Sequence, residues 1–126
     1  MQHRRVQKIT VYSGRRHVNS IEALYESGVK IKSGGDGGDA ESIELGENEW
    51  VVAVDVRHSE SGIQCLSFKT NKGNKLGPCG GSGGLLGKHG ADIKLKAPPS
   101  MKLVGFKGRQ GDRLDAIALR WGPAKA

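Results

Sequence analysis

Side chains able to do chemistry are few in this sequence, and their spacing excludes most of the chemistry they could do. The four histidines, His3, His17, His58 and His89, lie far apart and form no H-x-x-x-H or H-x-E pattern, so no zinc or other metal site is indicated. Cys65 and Cys79 give neither a disulfide framework nor a metal spacing. Cys65 sits inside an apolar run and is expected to be a buried free thiol, with a pairing to Cys79 left open. Asp36 and Asp39 are close, but in a glycine-rich segment they read as turn residues. No nucleophile–base pair, paired carboxylate or metal cluster emerges, so neither catalysis nor a cofactor is expected.

Positive charge is the other resource. Twenty Lys and Arg face 13 Asp and Glu, a net charge of +7. Two readings stand: attraction to an acidic partner, or a solvated surface with a basic bias. The basic residues are scattered, with short clusters at Arg4-Arg5 and Arg15-Arg16-His17. No basic helix is present, and 5% aromatic residues are too few to stack single-stranded nucleic acid, which therefore ranks low. No apolar run approaches a membrane span, and the start MQHRRVQKIT lacks an apolar stretch resembling a signal peptide. The compartment stays open.

The elements that must position these residues follow from pattern. At 126 residues the chain has the size of one domain, 1–126. Glycine contributes 20 residues without a collagen period, which indicates many tight turns between short strands. Two glycine clusters, Gly34-Gly35-Asp36-Gly37-Gly38 and Gly80-Gly81-Ser82-Gly83-Gly84, begin 46 residues apart. Each leads to a short run (Ser42–Leu45, Asp92–Leu95), then a second (Trp50–Val54, Lys102–Phe106) and, after a polar loop, a third (Ile63–Phe68, Leu114–Leu119). Both units then reach Gly-Pro, at Gly77-Pro78 and Gly122-Pro123. The N-terminal third fits the same frame without its glycine cluster, through Val6–Tyr12, the loop Ser13–His17 and Val18–Tyr25. The runs alternate apolar and polar residues, as half-buried strands do, and Asn71-Lys72-Gly73-Asn74 has hairpin-turn chemistry. Ser20–Glu26 has helical spacing over only seven residues, too short to outweigh the repeat, and is expected as strand. Three such units, each unable to bury its apolar face alone, imply three sheets around one core.

In order along the chain, these residues resemble the jacalin-related lectins. Leu66-Ser67-Phe68-Lys69-Thr70-Asn71-Lys72 through Leu76-Gly77-Pro78-Cys79-Gly80 is similar to the family's strand ending in Thr-Asn, a turn, and Gly-Pro-x-Gly. Gly105-Phe106-Lys107-Gly108-Arg109, then Gly111 to Asp115 and Ala116-Ile117, resembles its Gly-Phe-x-Gly-Arg, G-x-x-x-D and Ala-Ile ending. The cluster at 34–38 followed by Ile43-Glu44-Leu45 is a third match. The resemblance implies an all-β fold, a β-prism of three four-stranded Greek-key sheets with pseudo-threefold symmetry, the first strand of the N-terminal repeat missing or replaced. It also implies metal-free, non-catalytic binding of glycans or glycoproteins, and frequent self-association into oligomers, which adds avidity.

The resemblance further implies a site. In the family a glycine-rich loop faces an Asp-bearing loop. One carboxylate accepts two sugar hydroxyls in charge-assisted bonds, and backbone N–H groups of the same turn donate to ring and hydroxyl oxygens. Carried onto this chain, Asp115 is the carboxylate, with Gly111, Asp112, Arg113 and Leu114 lining the pocket. A turn-capping role for Asp115 stands beside this reading, and Gly111-Asp112 is also plain turn chemistry. Counting two residues back from Ile117, Ile21 and Leu66 gives Asp115, Asn19 and Gln64, so only the last repeat keeps the carboxylate. A secondary candidate site comprises Gly14, Asn19, Gly35, Asp36 and Gly37. The cluster that would face Asp115 is the absent one. An upstream segment of a longer chain, a neighbouring subunit, or Met1 to Arg5 with Gln2 and His3 could each take its place. Neutral hexoses of the mannose/glucose class are the leading expectation. The alternatives are a binder of sulfated or acidic glycans, acidic polysaccharide among them, or of anionic lipid heads through Arg15, Arg16, Lys107, Arg109 and Arg113, or a targeting module of a larger protein with a degenerate sugar site.

Overall fold

The computed structural model describes residues 5–14, 17–59, 62–80, 91–109 and 116–123. Ten strands and no helix occur among them. In chain order they are β1 (Val6–Ser13), β2 (Val18–Tyr25), β3 (Lys30–Gly34), β4 (Asp39–Glu44), β5 (Val51–Ser59), β6 (Gly62–Thr70), β7 (Lys75–Gly80), β8 (Ala91–Lys96), β9 (Met101–Arg109) and β10 (Ala116–Pro123). Ser20 to Tyr25 is strand, as the repeat required.

Two four-stranded antiparallel sheets share one plan, with orders β3-β2-β1-β4 and β7-β6-β5-β8. In each, a hairpin supplies the centre, the third strand flanks the second, and the fourth crosses back to flank the first. The third sheet has two strands among the described residues, β10-β9. Sheets and sequence repeats are therefore offset by one strand: β4 joins the sheet of β1 and β2, not that of β5 and β6. The two Gly-Pro pairs are not equivalent. Gly77-Pro78 lies within a third strand, whereas Gly122-Pro123 closes β10, the second strand of its hairpin.

Alternation puts every second side chain inward, and the three inner faces meet in one core. Ile9 and Val11 of β1, Ile21 and Ala23 of β2, Val54 and Val56 of β5, Leu66 and Phe68 of β6, and Leu103 and Phe106 of β9 are all buried. Ile117, Leu119 and Trp121 of β10 are only half-buried. Tyr25 ties the first sheet to the third by donating from its hydroxyl to the Val104 carbonyl at 2.9 Å.

The first two sheets meet where β4 approaches β7. There the Cys79 thiol donates to Glu41 Oε2 at 3.3 Å. Neither cysteine is in a disulfide, and the buried one is Cys79, while Cys65, expected to be buried from its apolar run, is half-buried. Cys65 points away from the core because it alternates with buried Leu66. Burial first, then the Glu41 carboxylate, pushes the Cys79 thiol up to about 12. At pH 8 its thiolate fraction is then about one in ten thousand. Native protein treated with iodoacetamide at that pH should remain unmodified at Cys79 by mass spectrometry, and denatured protein should be labelled there.

The Thr70–Asn74 turn that carries part of the family resemblance is a structural clamp. Glu49, buried in the β4–β5 connection, accepts from the Gly46 amide at 3.1 Å, the Thr70 hydroxyl at 2.8 Å and the Asn74 amide at 2.6 Å. Asn71 braces the same connection, accepting from the Trp50 amide and donating to the Asn48 carbonyl. These bonds, the Gly46 amide first, hold the Glu49 carboxyl below its usual range. A depressed folded-state value stabilises the fold above the unfolded value of about 4.5 and is lost as pH falls through the folded one. The melting temperature of the native chain should therefore fall more between pH 5 and pH 3 than that of Glu49→Gln, measured by circular dichroism.

Candidate functional site

The β1–β2 connection and the segment joining β3 to β4 come together at one end of the first sheet. Gly34 ends β3 with φ +116°, and a Cβ there would run into the Asn19 carbonyl oxygen and lie 2.7 Å from Ser20 Cα. Only glycine allows that approach. It lets the Gly35 amide donate to the Asn19 carbonyl at 2.8 Å, while Asn19 Nδ2 donates to the Asp36 carbonyl at 3.0 Å. Gly14, whose amide donates to the His17 carbonyl, faces the same side chain: a Cβ on it would lie 3.9 Å from Asn19 Oδ1. Gly37 flanks it too, its would-be Cβ 3.5 Å from Asn19 Nδ2. Gly14, Asn19, Gly35, Asp36 and Gly37 are thus neighbours in space, with the side-chain amide of Asn19 at their centre.

Asn19 Oδ1 in this cluster is buried and accepts no hydrogen bond among the described residues, and Gln64 Oε1 in the second sheet is in the same condition. The two positions correspond closely. Gly80 at the end of β7 has φ +101°, and a Cβ on it would collide with the Gln64 carbonyl oxygen, as one on Gly34 would with that of Asn19. Gln64, named by the count from Leu66 but left out of the candidate sites, is thus a further functional candidate. Its signal was present in the register, two residues before Leu66 as Asn19 is two before Ile21. A buried acceptor without a donor costs about 1–3 kcal/mol.

The third position falls elsewhere. Gly111, Asp112, Arg113, Leu114 and Asp115 lie outside the described residues, between Arg109 at the end of β9 and Ala116 at the start of β10. Arg15 and Arg16 also lie outside them. Lys107 is exposed on β9, and Arg109 ends that strand. In the Arg4-Arg5 cluster, Arg5 is committed to the fold: its guanidinium pairs with Glu26 at 3.3 Å and donates to the Leu45 and Gly46 carbonyls. Among the described residues no group of three His, Cys, Asp or Glu could hold a metal ion.

Among the described residues, a glycine closed against an amide-bearing residue thus recurs in the first two sheets. The family model of the jacalin-like lectin domain matches residues 1–119. The chain belongs to that family. The jacalin-like lectin fold is an all-β prism that binds carbohydrate without catalysis. Solved structures agree. A Malaysian banana lectin is 23% identical at a TM-score of 0.78, with 94% of this chain and 84% of that one covered. A mannose-binding jacalin-related lectin from Ananas comosus is 26% identical, TM-score 0.76, with 94% and 83% covered. Artocarpin in complex with mannotriose is 25% identical, TM-score 0.78, with 97% and 86% covered. A search of curated protein sequences found no match.

Proposed function

We propose that this jacalin-like lectin domain binds glycans of the mannose/glucose class reversibly, with Asp115 as the main carboxylate and the Asn19 loop as a second, weaker site. The observation that carries this reading is the Gly34–Gly37 segment closed over Asn19, whose side-chain amide donates to the Asp36 carbonyl. Asp115 is the counterpart of Asn19 by count from β10. Asp115 would accept two adjacent hydroxyls in charge-assisted bonds, while amides of Gly111 to Leu114 donate to sugar oxygens. At Asn19 one neutral oxygen does the same work with less strength. Support also comes from the Ananas comosus lectin described as mannose-binding and from artocarpin crystallised with mannotriose. We take residues 1–126 as one lectin module that gains avidity where glycan and protein are both multivalent.

A glycan array probed in low salt and again near 0.15 M tests the proposal. Binding to mannosides and glucosides that persists in salt supports it. Binding confined to acidic glycans and lost in salt would assign the protein to another ligand class.

A further inference from the structure

Gly77-Pro78 does more than mark a turn. Between the pairs Leu66↔Cys79 and Phe68↔Leu76, β7 uses one residue more than β6, so it bulges beside Ser67. Gly77 has φ +96°, and a Cβ there would lie 2.6 Å from the Leu66 carbonyl oxygen, so the bulge requires glycine. Val54, Val56, Leu66 and Phe68 face the core, so Asp55, Arg57 and Ser67 lie on the opposite face of the sheet. On that face a trough of about 290 Å³ opens, lined in part by Asp55, Arg57, Ser67, Lys75, Pro78 and Lys94. Ser67 is 7% exposed, a hydroxyl set deep between charged neighbours.

Arg57, Lys75, Lys94 and the Asp55 carboxylate are among the lining residues. Lys75 and Lys94 are exposed and have no carboxylate in ion-pair range among the described residues. We propose that this trough binds an acidic saccharide unit, a pyranose bearing a sulfate or a carboxylate, at a site separate from the glycine-loop end of the prism. Lys75 and Lys94 supply the positive field for the acid group. The Asp55 carboxylate accepts hydrogen bonds from ring hydroxyls, and the Ser67 hydroxyl can donate to them or accept from them. The Pro78 ring offers an apolar surface to the sugar's C–H face. A bare anion uses only the cations and a neutral sugar only Asp55 and Ser67, so the lining favours a ligand that carries both. The inference is independent of the hexose site at Asp115.

Calorimetry with a sulfated glucose, glucuronate, glucose and inorganic sulfate tests it on the intact chain. A sulfated glucose or glucuronate should bind about tenfold or more tightly than glucose or sulfate alone, and the stronger of the two names the acid group. The Lys75→Gln/Lys94→Gln pair should weaken that binding about tenfold, as should raising salt to about 0.15 M. Amide NMR shifts should centre on Ser67 and Lys94, and should persist in Asp115→Ala. Equal binding of inorganic sulfate, or shifts confined to Asn19 and Gly35 with the lysine variant unchanged, would overturn the assignment.

Discussion

Asp115→Ala is expected to remove most of the affinity for methyl α-mannoside, measured by calorimetry. Each hydrogen bond to a charged acceptor contributes about 1.5–3 kcal/mol, and two hydroxyls are assigned to this carboxylate. Losing both corresponds to at least a hundredfold weakening. Asp115→Asn makes a finer test, because it gives the third loop the side chain that the first already has at Asn19. Its affinity should fall between native and alanine, near that of the Asn19 loop. The signal that remains in Asp115→Ala should disappear on adding Asn19→Ala. If Asp115→Asn bound as well as the native chain, the carboxylate charge would have no role in recognition.

The largest effect on stability is expected at Gly34. Alanine there meets the Asn19 carbonyl and the Ser20 backbone while holding φ at +116°, so both a clash and backbone strain arise at once. Neither neighbour is a flexible side chain that could swing aside. A loss of about 3 kcal/mol or more is expected, or roughly 10 °C or more in melting temperature. Gly28→Ala separates the two contributions, because Gly28 has φ +92° with nothing within 4 Å of a Cβ. It should cost only the strain, about 1 kcal/mol. Equal losses in the two variants would mean that the close approach of β3 to Asn19 contributes nothing beyond backbone preference.

The strands legible in the sequence are those whose alternation reports a buried face. Val6–Ser13, Val18–Tyr25, Val51–Ser59 and Gly62–Thr70 form the central hairpins, and their inward residues were readable from Ile, Val and Leu at every second position. The third strands were not. Lys30–Gly34 has one large apolar residue and Lys75–Gly80 contains a proline, so neither has intrinsic strand character. They form because the edges of β2 and β6 pair with them, a tertiary effect that local pattern cannot carry. The same limit hid the sheet offset, since β4 pairs with β1 across nearly thirty residues of chain.

The candidate site divides along the same line. Counting back from Ile21 and Leu66 gave Asn19 and Gln64, which the structure places in matching surroundings beside Gly34 and Gly80, because loop position relative to a strand survives in sequence; Asp115, from the same count, lies outside the described residues. That Asn19 is braced by the Asp36 carbonyl and left with a bare oxygen depends on a contact 17 residues away, and only coordinates reveal it. The clamp around Glu49 was missed for a similar reason: its donors at Thr70 and Asn74 lie 21 and 25 residues off, and a lone glutamate in a loop gives no sign of burial.

A crystal structure of the chain grown with methyl α-mannoside is the most direct trial of the account. Sugar density should lie against Asp115, its two carboxylate oxygens within hydrogen-bond distance of neighbouring hydroxyls, with weaker density at Asn19 Oδ1. A sugar well ordered in some other part of the prism, with Asp115 and Asn19 both untouched, would contradict it.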